Sequence, residues 1–402
     1  MASSFSSGAS SSPAKAAAAR LIGKVGEFAD HLRSTQAVAQ DAQIREAVTR
    51  TELTGALEAA LAARDEARAG LRSDALRRYV AEAEIRRLRR RNRPARFAEQ
   101  ALARLGPPGQ ALVIAAAGVW RGGSLGAIAA YARRGPEPAA QPATLFDQAW
   151  YLAANPDVAA ARVAPLAHYL LSGAREDRSP HPLIEGPWYR RQNAQALAAT
   201  GLSALEHYVK EGAARGREPH PVFDSAHYLA GAGDIAAGET PLEHYLRVGA
   251  SRGLSPHPLF DPVWYGKQAR RSAKDAPALV HYLTVGWRKG FSPHPLFDPA
   301  WYLLQNGDVA QAGTEPLTHF LATGAREGRS PGPWFDLPHY VEARGAALPT
   351  RVNPLVDYLQ GGAWTVTEAR PGLPTAAYLA ANPEIVEQGL TPLEHWARRQ
   401  PR

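Results

Sequence analysis

The chain has 402 residues, 45% of them apolar and 21% charged, a composition that supports two or three soluble globular domains. It contains no cysteine, which excludes disulfides, thiolate metal sites, iron–sulfur clusters and cysteine nucleophiles. The formal net charge of +8 is unevenly placed: residues 1–145 carry 22 Lys/Arg against 13 Asp/Glu, and residues 146–402 carry 24 against 25, so an electrostatic partner is to be sought in the N-terminal third.

The first segment, residues 1–15, is rich in Ser and Ala and reads as a disordered tail; it lacks the basic and apolar regions of a secretory signal. Residues 16–96 are rich in Ala, Leu, Glu and Arg and contain no proline between Pro13 and Pro94, which predicts helix. Ile44, Val48, Leu53, Leu57 and Leu61 form an apolar stripe in imperfect heptads, so a coiled coil or helical hairpin that self-associates is expected. The region ends in a basic run, Arg86, Arg87, Arg89, Arg90, Arg91 and Arg93, followed by Arg96. A solvated helix end is its favoured reading. The alternatives are an anion site on lipid headgroups or on nucleic acid, and nucleic acid ranks last because no aromatics interleave and no DNA-reading motif is present.

Residues 97–145 read as a helical linker region. Its apolar stretch, 111–132, is interrupted by Trp120-Arg121-Gly122-Gly123-Ser124, which leaves runs too short for a membrane span and predicts helix, break and helix. A peripheral contact with the membrane is the alternative. The glycine-rich turn is too short for a phosphate loop.

Residues 146–402 form a tandem array. Tyr151, Tyr189, Tyr228, Tyr265, Tyr302, Tyr340 and Tyr378 are spaced by 38, 39, 37, 37, 38 and 38 residues. A second series, Tyr169, Tyr208, Tyr245, Tyr282, Phe320, Tyr358 and Trp396, follows it by 17 to 19 residues. Two locked series over seven units define repeats of about 38 residues. In the first unit Asp147 is an expected N-cap, Ala149–Ala154 a short helix, and Asn155-Pro156-Asp157 the end of that helix and the start of the next. Pro165 opens a third helix, on which Leu166, Tyr169 and Leu170 share a face. Gly173 is expected to close it, and Ser179-Pro180-His181-Pro182 to run extended. Short helices alone bury little, so stacking of neighbours must supply the core, and the predicted fold is an all-α array.

Twelve of the thirteen histidines lie in the array, mostly before the second aromatic or inside the Pro-His-Pro linkers. One histidine of each kind per unit is a poor source of three or four metal ligands, and a structural role is favoured; no metal or cofactor is expected. Trp150, Trp188, Trp264 and Trp301 recur in the first helix. Core packing is the favoured reading, with a ligand face that stacks on sugar rings as the alternative. No Walker A, Rossmann glycine fingerprint, Gly-x-Ser-x-Gly elbow or Asp-x-Asp pair is present, so no catalytic residue is assigned.

The stretch Phe146-Asp147-Gln148-Ala149-Trp150-Tyr151-Leu152-Ala153-Ala154-Asn155-Pro156-Asp157-Val158, followed by Pro165-Leu166-Ala167-His168-Tyr169-Leu170 and Gly173, resembles a bacterial repeat of the form F-D-x-x-W-Y-L-x-x-N-P-D-V, P-L-x-H-Y-L-x-x-G, G-R-x-P. Such repeats accompany glycosyltransferases and rhamnan-synthesis-like proteins of surface polysaccharide assembly. The resemblance implies a non-catalytic scaffold or accessory protein of such a system, cytoplasmic or peripheral to the inner membrane, that binds a partner enzyme or a glycan. The rival expectations are a glycosyltransferase-related enzyme with an unrecognised site, and binding of nucleic acid or anionic lipid through the Arg cluster.

Overall fold

A computed structural model describes residues 96–161, 163–270 and 276–400, with side chains from Ala103 onward. All of them fall within one compact unit, Arg72–Arg402. The expected tail, the coiled coil of 16–96 and the anion-binding residues Arg86, Arg87, Arg89, Arg90, Arg91 and Arg93 lie outside the described residues. The described chain is helical and holds no strand; extended backbone pairs only in isolated bridges such as His181 with Ile184. The all-α expectation holds.

Helix α1 (Arg96–Ala117) is interrupted at Gly106, whose φ of 60° suits glycine, and restarts at Pro107-Pro108. Helix α2 (Leu125–Arg134) is capped by the Ser124 hydroxyl, which accepts from the Ala127 amide at 3.1 Å. The expected break between them is present. No helix among the described residues is long and apolar enough to cross a membrane.

The first repeat comprises α3 (Gln148–Ala154), α4 (Pro156–Ala160) and α5 (Pro165–His168). The Asp147 carboxylate accepts from the Trp150 amide at 3.0 Å, and Asp224, Asp261, Asp298 and Asp336 cap their repeats in the same way. The middle segment varies most: it is helical at Ala194–Thr200 and Gly307–Ala312, and irregular over 233–240.

Helix α5 runs on past His168, and its helical run ends at Gly173 as expected. It widens into a turn, Tyr169–Gly173, in which the Ala174 amide bonds to the Tyr169 carbonyl five residues back at 2.9 Å; Tyr208–Gly212, Tyr245–Gly249 and Phe320–Gly324 widen likewise. The glycine is required for a different reason from capping. A Cβ on Gly173, Gly212, Gly249, Gly286, Gly324 or Gly362 would stand 2.0–2.3 Å from the hydroxyl of the first tyrosine of its own repeat. The linker also differs from expectation. It is extended only up to Pro180, and then turns: the Ile184 amide bonds to the His181 carbonyl at 3.0 Å, with Pro182 where a turn favours proline.

The first, third, fourth, fifth and sixth repeats each bury a triad of rings, while the second has Ile184 in place of the phenylalanine. Tyr151 meets Tyr169 edge-on at 6.0 Å between centroids and Phe146 at 5.1 Å; Tyr265, Tyr282 and Phe260 repeat the arrangement. Such pairs add about 0.5–1.5 kcal/mol each beyond the area they bury.

Two ladders join neighbouring repeats. In the first, the amide of the N-cap residue bonds to the proline carbonyl of the next linker: Asp147 to Pro180, Glu185 to Pro219, Asp224 to Pro256, Asp261 to Pro293 and Asp298 to Pro331, at 2.9–3.1 Å. In the second, the second tyrosine presents its hydroxyl to the amide of the third-helix leucine one repeat on. Tyr358 accepts from Leu393 at 3.0 Å, and Tyr131 of α2 accepts from Leu166 at 3.1 Å. Tyr169 and Tyr208 face Leu205 and Leu242 with looser geometry, outside hydrogen-bond limits. Because Tyr131 stands 38 residues before Tyr169, α2 carries the contact of a repeat's third helix upstream of Phe146.

Repeats distant in sequence also meet. Arg398 of the seventh bonds to Asp261 of the fourth at 2.7 Å, and Glu394 to His294 at 3.2 Å.

Candidate functional site

The recurring polar residues are placed by the repeat itself. The third helix sets its histidine opposite the first-helix tyrosine, and the pair bonds through Nδ1: Tyr151 with His168 at 2.9 Å, Tyr189 with His207 at 2.7 Å, Tyr228 with His244 at 2.6 Å, Tyr302 with His319 at 2.9 Å and Tyr378 with His395 at 3.0 Å. Burial, helped by the nearby Arg178, pulls His168 down to about 4. Burial pushes Tyr228 up to about 12. In the Tyr151–His168 pair, where burial also raises the phenol well above its ordinary value, a neutral imidazole beside a protonated phenol is structural at neutral pH, neither a strong base nor a nucleophile.

The linker histidines are spent on the turn. His181, His220, His257 and His294 each accept, through Nδ1, from the amide two residues on at 3.0–3.2 Å. That bond leaves the ring proton on Nε2. Burial lowers His181 to about 4, and His220 and His257 to about 3. Among the described residues no three His, Asp or Glu side chains gather as a metal set.

The four tryptophans sit half-buried on the first helices of their own repeats. Trp188 packs against the core. The Trp264 indole N–H donates to Ser292 Oγ at 3.4 Å, and the Arg398 guanidinium lies 5.3 Å from its ring centroid. His227 and His339, at the same position of their repeats, reach Ser255 Oγ at 3.2 Å and the Glu368 carbonyl at 3.1 Å. The position therefore ties the first helix to the following linker. Trp150 and Trp301 occupy it too.

One cavity combines charge, an aromatic face and polar groups. It measures about 380 Å³ and lies between the α1–α2 turn, the linker before the first repeat and the third repeat; Trp120, Arg121, Ala143, Asp147, His181 and Glu243 are among its lining residues. Arg121 enters from the glycine-rich turn. Its guanidinium donates to the Val209 carbonyl at 2.8 Å and to the Gly238 carbonyl, and stands 3.4 Å from Glu243 Oε2. That oxygen already accepts from the Thr240 amide and hydroxyl, both at 2.9 Å, in a capping box at the start of Pro241–His244. The cavity's volume lies in the range of small-molecule sites and its polar groups converge, which makes it the candidate site. None of its residues was singled out as a site from the sequence. The available signal was Ala143, which stands where four of the linkers carry histidine.

No family model matches the chain, and no curated protein or solved structure matches it.

Proposed function

We propose that the chain is a non-catalytic scaffold whose repeat array presents a stacked helical surface to a partner enzyme. The observation that carries this reading is where the recurrent polar chemistry goes. The capping aspartates, the Tyr–His pairs and the linker histidines bond to one another and to backbone, within and between repeats. Residues that recur thus build the array, and residues that vary from unit to unit are left to be read by a partner. The setting in surface-polysaccharide assembly, with a glycosyltransferase as the partner, rests on the resemblance of the repeat motif.

The test is to tag the protein in its native cells and identify what co-purifies at low and at high salt. Recovery of a glycosyltransferase at both salts supports the scaffold. A bound polysaccharide in its place would move the reading to glycan binding. Sugar transfer by the purified protein alone would overturn it.

A further inference from the structure

Two places in the array are built alike up to a single residue. In the seventh repeat, Thr391 and Glu394 form a capping box: Glu394 Oε2 accepts from the Thr391 amide at 3.0 Å and hydroxyl at 2.8 Å. Glu394 Oε1 then meets Nε2 of the linker histidine His294, exactly 100 residues earlier, at 3.2 Å. In the third repeat, Thr240 and Glu243 form the same box with the same two bonds to Oε2. The residue 100 positions before Glu243 is Ala143. The linker backbone there is unchanged, with the Phe146 amide bonded to the Ala143 carbonyl at 3.1 Å as Phe297 is to His294 at 3.0 Å. What differs is the imidazole, and at this place the structure has the cavity of about 380 Å³. Among the described residues nothing bonds to Glu243 Oε1, since Arg121 approaches the other oxygen.

From this we infer that the cavity is a binding site for a small nitrogen ligand, one whose N–H donor takes the place that the Nε2–H of His294 fills beside Glu394. The charge count favours one positive charge: the carboxylates of Asp147 and Glu243 face a single guanidinium, Arg121. Trp120 supplies an aromatic wall of the kind that attracts cations. The inference stands on the cavity and its twin in the array, independently of the scaffold reading.

The full-length protein is titrated at neutral pH with imidazole and with histamine, followed by thermal shift and by calorimetry. Wild type is expected to give saturable binding and a rise in Tm. Ala143→His, which supplies the ring covalently, is expected to raise Tm by itself and to abolish the response. Glu243→Gln, which keeps a capping-box side chain, is expected to weaken binding about tenfold or more, the worth of a charged hydrogen bond. Absence of saturable binding to wild type overturns the proposal, and so does an unaltered response in Ala143→His, which would place the ligand elsewhere.

Discussion

Tyr340 donates its hydroxyl to Asp357 Oδ2 at 2.6 Å, at the place where other repeats bring a tyrosine to a histidine Nδ1. Exchanging a neutral ring for a carboxylate introduces a charge that burial opposes. Arg344 answers it with two bonds to Asp357, at 2.7 and 2.9 Å. Burial alone would raise the Asp357 carboxyl, but the Arg344 and Tyr340 hydrogen bonds hold it below the usual carboxylate range. Asp357→Ala strands both partners and should cost about 2–4 kcal/mol in urea unfolding at pH 7. Asp357→His keeps the bond to Tyr340 and strands Arg344 alone, so its loss should be smaller than that of Asp357→Ala by about 1 kcal/mol or more. Equal losses for the two substitutions would refute this division.

The close approach of tyrosine to glycine gives a second prediction. A Cβ on Gly249 would stand 2.0 Å from the Tyr228 hydroxyl and 2.9 Å from Cζ. Gly249→Ala should therefore destabilise by about 2–3 kcal/mol through overpacking. In Tyr228→Phe the hydroxyl is absent and part of the clash goes with it, so the double variant should be more stable than the sum of the single losses implies. A double-mutant cycle measures this coupling. Strict additivity would mean that the glycine is required for its backbone, not for its contact.

Phe320 is the residue without a hydroxyl in the ladder between repeats. The leucine it should serve, Leu355, is served by Asn353, whose Oδ1 accepts from the Leu355 amide at 3.0 Å. Asn353→Ala should cost about 1 kcal/mol, as for other lost N-caps. Phe320→Tyr should change little alone and recover much of that loss in the Asn353→Ala background. Chemical denaturation of the four proteins closes the cycle; no recovery would show that the hydroxyl cannot reach the Leu355 amide.

The period, the capping aspartates, the prolines that open helices and the three-part unit were legible because each depends on neighbours within a few residues. The structural role of the histidines was legible too, though not their partners. The helix end at Gly173 was legible but the need for glycine there was not, because local grammar offers only helix closure as its reason, while a Cβ would meet the hydroxyl of a tyrosine 22 residues away, Tyr151. Tyr131 belonged to the second aromatic series by its spacing of 38 but has alanine, not histidine, before it, so it stayed outside the pattern. The meeting of Arg398 with Asp261 and the cavity beside Ala143 depend on how repeats two or three apart come together, which no local pattern specifies.

Acid should loosen the array through its linker histidines. Burial holds His181 at about 4 and His220 and His257 at about 3, against about 6.5 for an unfolded histidine. Between those limits the unfolded chain binds more protons than the folded one. The stability these residues contribute is complete above pH 6.5 and falls as pH drops toward 3–4, by about 1.4 kcal/mol per pH unit for each group inside the window. Glu218, which burial raises to about 7, opposes the trend, as do Glu185 and Glu315, which burial also raises; His168, His207, His227, His319 and His395, which burial lowers, add to it. Tm should therefore fall steadily from pH 7 to pH 5. His220→Asn isolates one contribution: the Asn side chain can accept from the Val222 amide as the Nδ1 of His220 does at 3.2 Å, but it does not titrate. The variant should fold at pH 7 and lose stability less steeply below pH 6.5 than wild type. Parallel pH profiles for the two proteins would show that His220 does not carry a proton-linked share of the array's stability.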